Sequence, residues 1–515
     1  MIVEDQSEVI AFLSEPEAYG PDVASVERRE THASVLFLAG PRVFKLKRAV
    51  RFPYLDYGSV AARRRFCEAE VAINRRTAGA LYRGVVAVVR RPDGSLGLGG
   101  DGEPVDWLVE MQRFAENALF DRLAACGRLD RRTVEGLADA IASFHAEAER
   151  KPQAGGAAAM AAILEGNIRC FQDSDPFVLE RDTIARLTAA SRQALQAVGP
   201  LLDRRRAAGF VRHCHGDLHL RNIVLHDGRA MLFDAIEFDA AYADIDVLYD
   251  LAFLVMDLEF RDLRRLASIL LNRYLDVTGD SGGLAALPLF LSMRAAIRSH
   301  IDAAAAATHS DVDAAAGLAA GASRYLKLGL SFLAPAAPRL IAVGGLSGSG
   351  KSRLARELAP SLAPPPGARV IRSDATRKRL AGVAPETRLP PGSYSAATSR
   401  QTYAAVCAEA REVLAAGRPV IADAVFARPE ERAAIAAVAA EAGVPFQGLW
   451  LAAAPDLLQE RVEKRLGNAS DATPEVVRQQ LAYDLGPIDW PRVDSSGEAA
   501  ETLAAARALM DREPL

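Results

Sequence analysis

The stretch His215 to Asp239, HGDLHLRNIVLHDGRAMLFDAIEFD, decides how the first half of the chain is read. NIVL and AMLFD are short apolar runs separated by the turn residues HDGR, which is the pattern of a β-hairpin. A hairpin brings Asn222 and Asp234 to the same end. Both offer oxygen, and a hard ion such as Mg²⁺ takes oxygen ligands. Asp217 is then left to orient or deprotonate an acceptor hydroxyl, and Glu237 stands close enough to add a carboxylate near the metal.

A phosphoryl-transfer centre of this kind also needs a strand lysine paired with a helix glutamate. Upstream, VFKLK places Lys45 and Lys47 on one strand face. Lys45 is preferred, because Val43 two residues earlier would face the adenine. The helical stretch that follows, ARRRFCEAEVAINRR, offers Glu68 and Glu70. Glu70 is preferred, because Ile73 follows at core spacing. WLVEMQRF, Trp107 to Phe114, then reads as the hinge whose backbone would hold the adenine, with Met111 among the nucleotide contacts. Beyond Asp234 lie Asp239, Asp244, Asp246, Asp250, Asp257 and Glu259, which suit either a cationic acceptor or the starts of helices.

The second half carries a different signature. GLSGSGKS, Gly345 to Ser352, follows the strand-like RLIAVGG and precedes the helical SRLARELAP. That context makes it a P-loop. Glycines let the backbone wrap a polyphosphate with N–H groups pointing inward, and the helix start adds positive potential. The expected nucleotide contacts are Gly345, Ser347, Gly348, Ser349, Gly350, Lys351 and Ser352. Lys351 reaches the outer phosphates and Ser352 holds Mg²⁺. Asp423, ending the strand of VIADAVF, is the expected second metal carboxylate. RSDATRKRL puts Asp374 and Arg377 just past another strand, where Asp374 would take a hydroxyl proton and Arg377 would bind substrate; the alternative for Asp374 is a helix cap. Arg461 and Arg465, four apart on one helix, are candidate lid arginines over the phosphate, or a solvated face.

Around these motifs the chain divides at Ser331 to Leu340, SFLAPAAPRL, where prolines and small residues part a helical run from a strand. The expected domains are 1–333 and 338–515. The first has strands, then helices from Arg131 on, with Val134, Leu137, Ile141 and Phe144 on one face; this is an α+β order with a small sheet lobe and a larger helical lobe. The second alternates strand and helix in the rhythm of a parallel α/β sheet.

At 515 residues the chain is too long for one core, and half its residues are apolar and a quarter charged. A net charge of −4 does not suggest a protein that coats nucleic acid or anionic membrane; a nucleic-acid partner is not expected but is not excluded. The cysteines, Cys67, Cys126, Cys170, Cys214 and Cys407, are odd in number and show no C-x-x-C pair. No stretch is apolar enough to span a bilayer, and the acidic N-terminus has no leader pattern. A reducing cytoplasm is the expected address. Oligomeric state is left open.

The order Lys45, Glu70, hinge, HGD-x-x-x-x-N and Asp234 resembles the aminoglycoside phosphotransferase family over about residues 25–330. The resemblance implies a protein-kinase-like two-lobe fold acting on small molecules. Residues 338–515 resemble P-loop kinases of small hydroxylated substrates and nucleic-acid ends, and the whole chain is similar to bacterial proteins that join two such domains. One feature departs from the pattern. No G-x-G-x-x-G lies between the first two strands, where RRETHASVLFLAGPRV stands, and the turn Thr31 to Ser34 is expected over the phosphates instead. The resulting expectation is two ATP–Mg²⁺ sites, each phosphorylating a hydroxyl of a small molecule. The alternatives are a nucleotide-regulated or toxin-like switch, and a nucleic-acid-end kinase using the basic cluster Arg369, Arg372, Arg377, Lys378 and Arg379.

Overall fold

The computed structural model describes residues 3–31, 33–52, 55–175, 177–464 and 470–510. Its chain forms two compact units, Met1–Gly156 with Arg205–Leu254, and Ala157–Arg204 with Val255–Leu515.

In the first unit, β1 (Val26–Glu30), β2 (Ser34–Ala39), β3 (Arg42–Lys47), β4 (Tyr82–Arg90), β5 (Leu96–Leu98) and β6 (Glu103–Gln112) form a six-stranded sheet in the order β1-β2-β3-β6-β4-β5. Every pairing is antiparallel. Helix α1 (Val60–Ala78) lies between β3 and β4 in the chain, and the Ser59 hydroxyl caps it by accepting from the Ala62 N–H. The alternation along β3 sets the site. Phe44 and Leu46 enter a core with Val9, Leu13, Phe37 and Leu108. Val43 points to the other face, toward Cys67 and Val71 of α1. Period two therefore sends Lys45 and Lys47 to the α1 side as well. Three of these strands carry no sequence-level expectation: β1, polar and exposed over Glu27–Glu30, β4 and the short β5. The span Trp107 to Phe114 is mostly strand, since β6 runs to Gln112 and pairs with both β3 and β4.

Helix α2 (Arg131–Glu147) starts at Asp130, whose carboxylate accepts from the Thr133 N–H, and it buries Val134, Leu137, Ile141 and Phe144 as their spacing predicts. The hairpin forms as β7 (Ile223–His226) and β8 (Arg229–Leu232). Asp227 and Gly228 both take positive φ, 48° and 74°, as a two-residue hairpin turn of matching twist requires.

The second unit holds α3 (Arg264–Thr278) and a five-stranded parallel sheet. The strands are β9 (Leu340–Gly344), β10 (Arg369–Arg372), β11 (Val420–Asp423), β12 (Phe446–Ala452) and β13 (Arg492–Asp494), in the order β10-β11-β9-β12-β13. β9 and β11 are buried along their whole length, the mark of strands covered on both faces. Helix α4 (Lys351–Leu358) follows β9, and α5 (Ser373–Leu380) follows β10 directly. The stretch 335–339 ahead of β9 has no regular structure, in accord with its prolines. Among the described residues, no helix is long and apolar enough to cross a membrane.

One buried histidine in this unit makes a stability prediction. His300 lies beside Asn167 Oδ1 at 3.2 Å, and burial pushes its imidazole down to about 4, with Arg298 adding to the effect. The unfolded chain therefore takes up a proton near pH 6.5 that the folded chain refuses until about 4. Stability is fully present above pH 6.5 and is lost as pH falls through that window. Urea unfolding at pH 7 and 4.5 should show His300→Gln losing about 2 kcal/mol less than the parent between the two.

Candidate functional site

The upstream site is assembled within the first unit from β3, α1 and the two ends of the hairpin. Glu70 is fully buried and receives both lysines. Lys45 Nζ reaches Glu70 Oε1 at 2.9 Å, and Lys47 Nζ reaches Oε2 at 2.6 Å. Each lysine holds a second carboxylate: Lys45 binds Asp234 Oδ1 at 2.6 Å, and Lys47 binds Glu237. Tyr57 donates to the same Glu237 oxygen at 2.6 Å. Burial opposes the lysine charges, yet Asp234 and Glu70 raise the Lys45 ammonium, and Glu70 and Glu237 raise that of Lys47, well above the usual range. Burial also opposes the Glu70 charge, and the two lysines still hold it below the usual carboxylate range. Glu68, the other candidate, is exposed and pairs with Arg64. The Lys-x-Lys pair belongs to an interior strand and is no solvated edge device. Glu237 faces Lys47 and Tyr57.

This arrangement carries a stability prediction. Glu70→Gln leaves two buried ammonium groups short of a carboxylate. It should cost about 3 kcal/mol of stability in denaturant unfolding, while Glu68→Gln should be silent.

The hairpin delivers the remaining groups. The Phe233 N–H donates to the Asn222 carbonyl at 3.0 Å, closing the ladder so that Asn222 and Asp234 leave it at one end. Asn222 Nδ2 donates to Asp217 Oδ2 at 2.9 Å and to its carbonyl at 3.0 Å. His219 Nε2 lies 3.3 Å from the same carboxylate oxygen. Asp217 and Asp234 side chains keep 37% and 45% exposure, against 0% for Glu70, so these two acids are the open ones of the cluster.

Two supporting residues, Asn74 and Tyr82, went unread in the sequence, and a third, Asp250, was read there only as one acid among several. Asp250 accepts from the His215 N–H at 3.1 Å and the Gly216 N–H at 2.9 Å, and lies 3.1 Å from His145 Nε2; it pins the H-G-D turn. Its signal was a lone acid inside the apolar run VLYDLAFLV. Asn74 Oδ1 accepts from the Ala235 N–H at 2.9 Å, and the Tyr82 hydroxyl accepts from the Asp234 N–H at 3.1 Å. They hold Asp234 at φ 61°, a left-handed conformation that short acids tolerate. Asn74 lies on the buried stripe of α1 with Cys67, Glu70 and Val71, where a polar residue is itself a signal.

The other acids of this region have structural partners. Asp239 caps a helix, Asp244 pairs with His213, Asp246 with Arg205, Asp257 with Arg261 and Glu259 with Arg264. Met111 is buried at the end of β6, opposite Val43 and Tyr82. The turn of β1 and β2 is tied by Thr31 and Ser34, with a Thr31 N–H to Ser34 carbonyl bond of 2.8 Å.

The P-loop lies wholly in the second unit. Gly345, Gly348 and Gly350 take φ of 138°, 89° and 90°. A Cβ on Gly345 would stand 2.5 Å from the Leu451 carbonyl oxygen, and one on Gly348 would stand 2.4 Å from that of Leu458, so only glycine fits. Lys351 Nζ turns back onto the Leu346 carbonyl at 2.9 Å. The Ser347 N–H donates to Gln480 Oε1 at 2.7 Å, a contact from the helix Pro474–Leu481 with no sequence signal. Ser349 Oγ is buried without a hydrogen-bond partner.

Asp423 ends β11 beside Val343 of β9 and Arg372 of β10. Burial pushes the Asp423 carboxyl up; Lys351, Ser352 and Arg372 oppose this, and Asp374 adds to it. Asp374 sits in the first turn of α5 and caps nothing, since the cap position is Arg372. Arg377 donates to the Ser393 carbonyl at 2.9 Å and stacks over the Tyr394 ring. Arg461 donates to the Ser496 carbonyl at 3.4 Å; Arg465 lies outside the described residues. The basic cluster is not a solvated face. Arg369 and Arg372 bind Asp276, Lys378 binds Asp471, and Arg379 binds Glu409.

Residues 64–287 match the model of the phosphotransferase enzyme family, and residues 340–484 match that of an AAA domain. Uncharacterized proteins of Mycobacterium bovis and Mycobacterium tuberculosis are 29% identical over 495 residues, covering 94% of this chain and 95% of theirs. A choline/ethanolamine kinase family protein from Mesorhizobium loti is 14% identical, with a TM-score of 0.39 over 64% of this chain and 98% of its own. A gluconokinase from Sinorhizobium meliloti is 23% identical, with a TM-score of 0.25 over 34% of this chain and 96% of its own. The chain thus joins a protein-kinase-like segment similar to the phosphotransferase enzyme family to a segment similar to P-loop kinases.

Proposed function

We propose that the chain is a bifunctional ATP-dependent kinase, with residues 1–333 and 338–515 as its functional domains and a separate ATP–Mg²⁺ site in each. Each site transfers a phosphoryl group to a hydroxyl of a small molecule. The observation that carries the reading is the joining of Lys45 to both Glu70 and Asp234, with Asn222 joined to Asp217, in a unit distinct from the one that holds the P-loop.

The residues fit the group they would hold. Upstream, Asn222 and Asp234 present oxygen to Mg²⁺, which when bound neutralises the phosphates. Lys45 moves from Asp234 to the phosphates while Glu70 keeps it placed. Asp217 orients the acceptor hydroxyl and takes its proton, and Met111 stands where the backbone meets the adenine. In the P-loop, the glycine cradle and the unpartnered Ser349 hydroxyl suit a polyphosphate. Lys351 contacts the outer phosphates, Ser352 and Asp423 hold the metal, Asp374 receives the acceptor proton and Arg377 binds the acceptor. Arg461 approaches the nucleotide from its helix. The free cysteines support a reducing, cytoplasmic setting.

The nucleic-acid-end reading loses its electrostatic basis, because the cluster it needs is spent on internal partners. Incubating the full chain with γ-labelled ATP and a metabolite extract tests the proposal. Asp217→Ala and Lys351→Ala should each lose a different labelled product; loss of one shared product from both variants would refute two independent sites.

A further inference from the structure

Strand β10 is an edge of the parallel sheet, and helix α3 covers it. Asn272 Oδ1 accepts from the Val370 N–H at 2.7 Å, while Asn272 Nδ2 donates to the Ala368 carbonyl at 3.1 Å. One carboxamide thus takes the place of a missing neighbour strand. One turn further along α3, Asp276 is buried, and its two oxygens hold Arg369 at 2.8 Å and Arg372 at 2.5 Å. Arg369 continues to Glu409 at 2.8 Å, and Glu409 to Arg379 at 2.7 Å and Ser281 at 2.7 Å. Outside this chain of pairs, Arg273 grips Glu386 with two bonds and Arg265 grips Glu357 with two.

Arg372 is the member that reaches the nucleotide site. Its Cα pairs in register with that of Asp423, and side chains in register on adjacent parallel strands share a face. Asp374 follows two residues later. A guanidinium beside a metal carboxylate has two stable uses: it can rest on that carboxylate, displacing the metal, or be drawn off by another acid. Here a second acid is supplied from α3, a helix that precedes the P-loop segment in the chain.

We infer that Asp276 is a positioning residue of the P-loop site: it draws Arg372 off Asp423 and so keeps that carboxylate available to Mg²⁺. The inference rests on the nucleotide-binding reading of residues 345–352. It makes α3, within the phosphotransferase-family match, a working part of the P-loop site. With the Asp276 charge removed, Arg372 pairs with Asp423 and competes with the metal.

The test uses the full chain carrying Asp234→Ala, so that a fluorescent ATP analogue reports on the P-loop, with Mg²⁺ titrated at fixed nucleotide. Lys351→Ala in this background must abolish the signal; persistence of binding would sink the P-loop reading itself. Given that loss, Asp276→Asn should raise the half-saturating Mg²⁺ about tenfold. Adding Arg372→Ala to Asp276→Asn should restore the starting value, a rescue that a merely structural role for Asp276 does not give. Asn272→Ala removes the edge cover and one 3.3 Å bond from Arg369 while leaving Asp276 on Arg372, and should lower the thermal midpoint without moving the Mg²⁺ curve. An unchanged curve in Asp276→Asn, no rescue in the double variant, or an equal shift in Asn272→Ala overturns the inference and leaves the P-loop reading standing. Should Asp276→Asn fail to fold, Arg372→Ala alone decides: half-saturation at or below the starting value supports the inference, and a rise overturns it.

Discussion

Asp217→Asn is expected to lower turnover at the upstream site about 1,000-fold while the KM for ATP changes little. A positioned acid–base group contributes about 100- to 10,000-fold, and an amide keeps the shape of the carboxylate while losing its basicity. The geometry favours a loss in kcat alone. Asp217 is partly exposed and touches the polar side chains of Asn222 and His219, so the substitution opens no cavity in a core. Lys45, Glu70 and Asp234 stay in place, so the expected nucleotide contacts survive. The measurement is steady-state kinetics on the upstream product, beside thermal unfolding of both proteins. Turnover within tenfold of the parent would remove Asp217 from the chemistry.

Lys351→Ala is expected to reduce transfer at the P-loop site about 1,000-fold, chiefly by removing charge that meets the developing negative charge on the phosphates. The Lys351 ammonium bonds the Leu346 carbonyl, and α4 begins at this residue with a buried stripe of Leu354, Ala355 and Leu358 that the substitution leaves alone. Folding should therefore persist. Kinetics on the downstream product, run beside the upstream product as an internal control, separates a local loss from a global one. Equal loss of both products would mean that the two sites do not act independently.

What the sequence made legible was local. The hairpin of His215 to Asp239 follows from two apolar runs and a turn that demands positive φ. The P-loop follows from glycines between strand and helix. Lys45 and Glu70 were readable because period two on a strand and period 3.6 on a helix each leave few positions facing the same side. β1 escaped because an exposed edge strand needs no apolar pattern, and VERRE has none. β4 was open to the same reading as its neighbours, since YRGVVAVVR is rich in β-branched residues. Asp276 against Arg372 and Gln480 against Ser347 were beyond reach. Each joins residues whose separation in sequence carries no periodicity, and each depends on how finished elements pack. The division into compact units is of the same kind: no composition shift marks residues 255–333 as company for the P-loop sheet.

The carboxamide of Asn272 has a practical meaning for anyone who cuts this chain. A fragment beginning near residue 338 looks natural from its prolines, yet it bares the Val370 amide and the Ala368 carbonyl along an open seam and strips Arg369 of one of its counter-charges. Such a seam invites a strand from another copy, and the piece would tend to clump during purification for reasons unrelated to its chemistry.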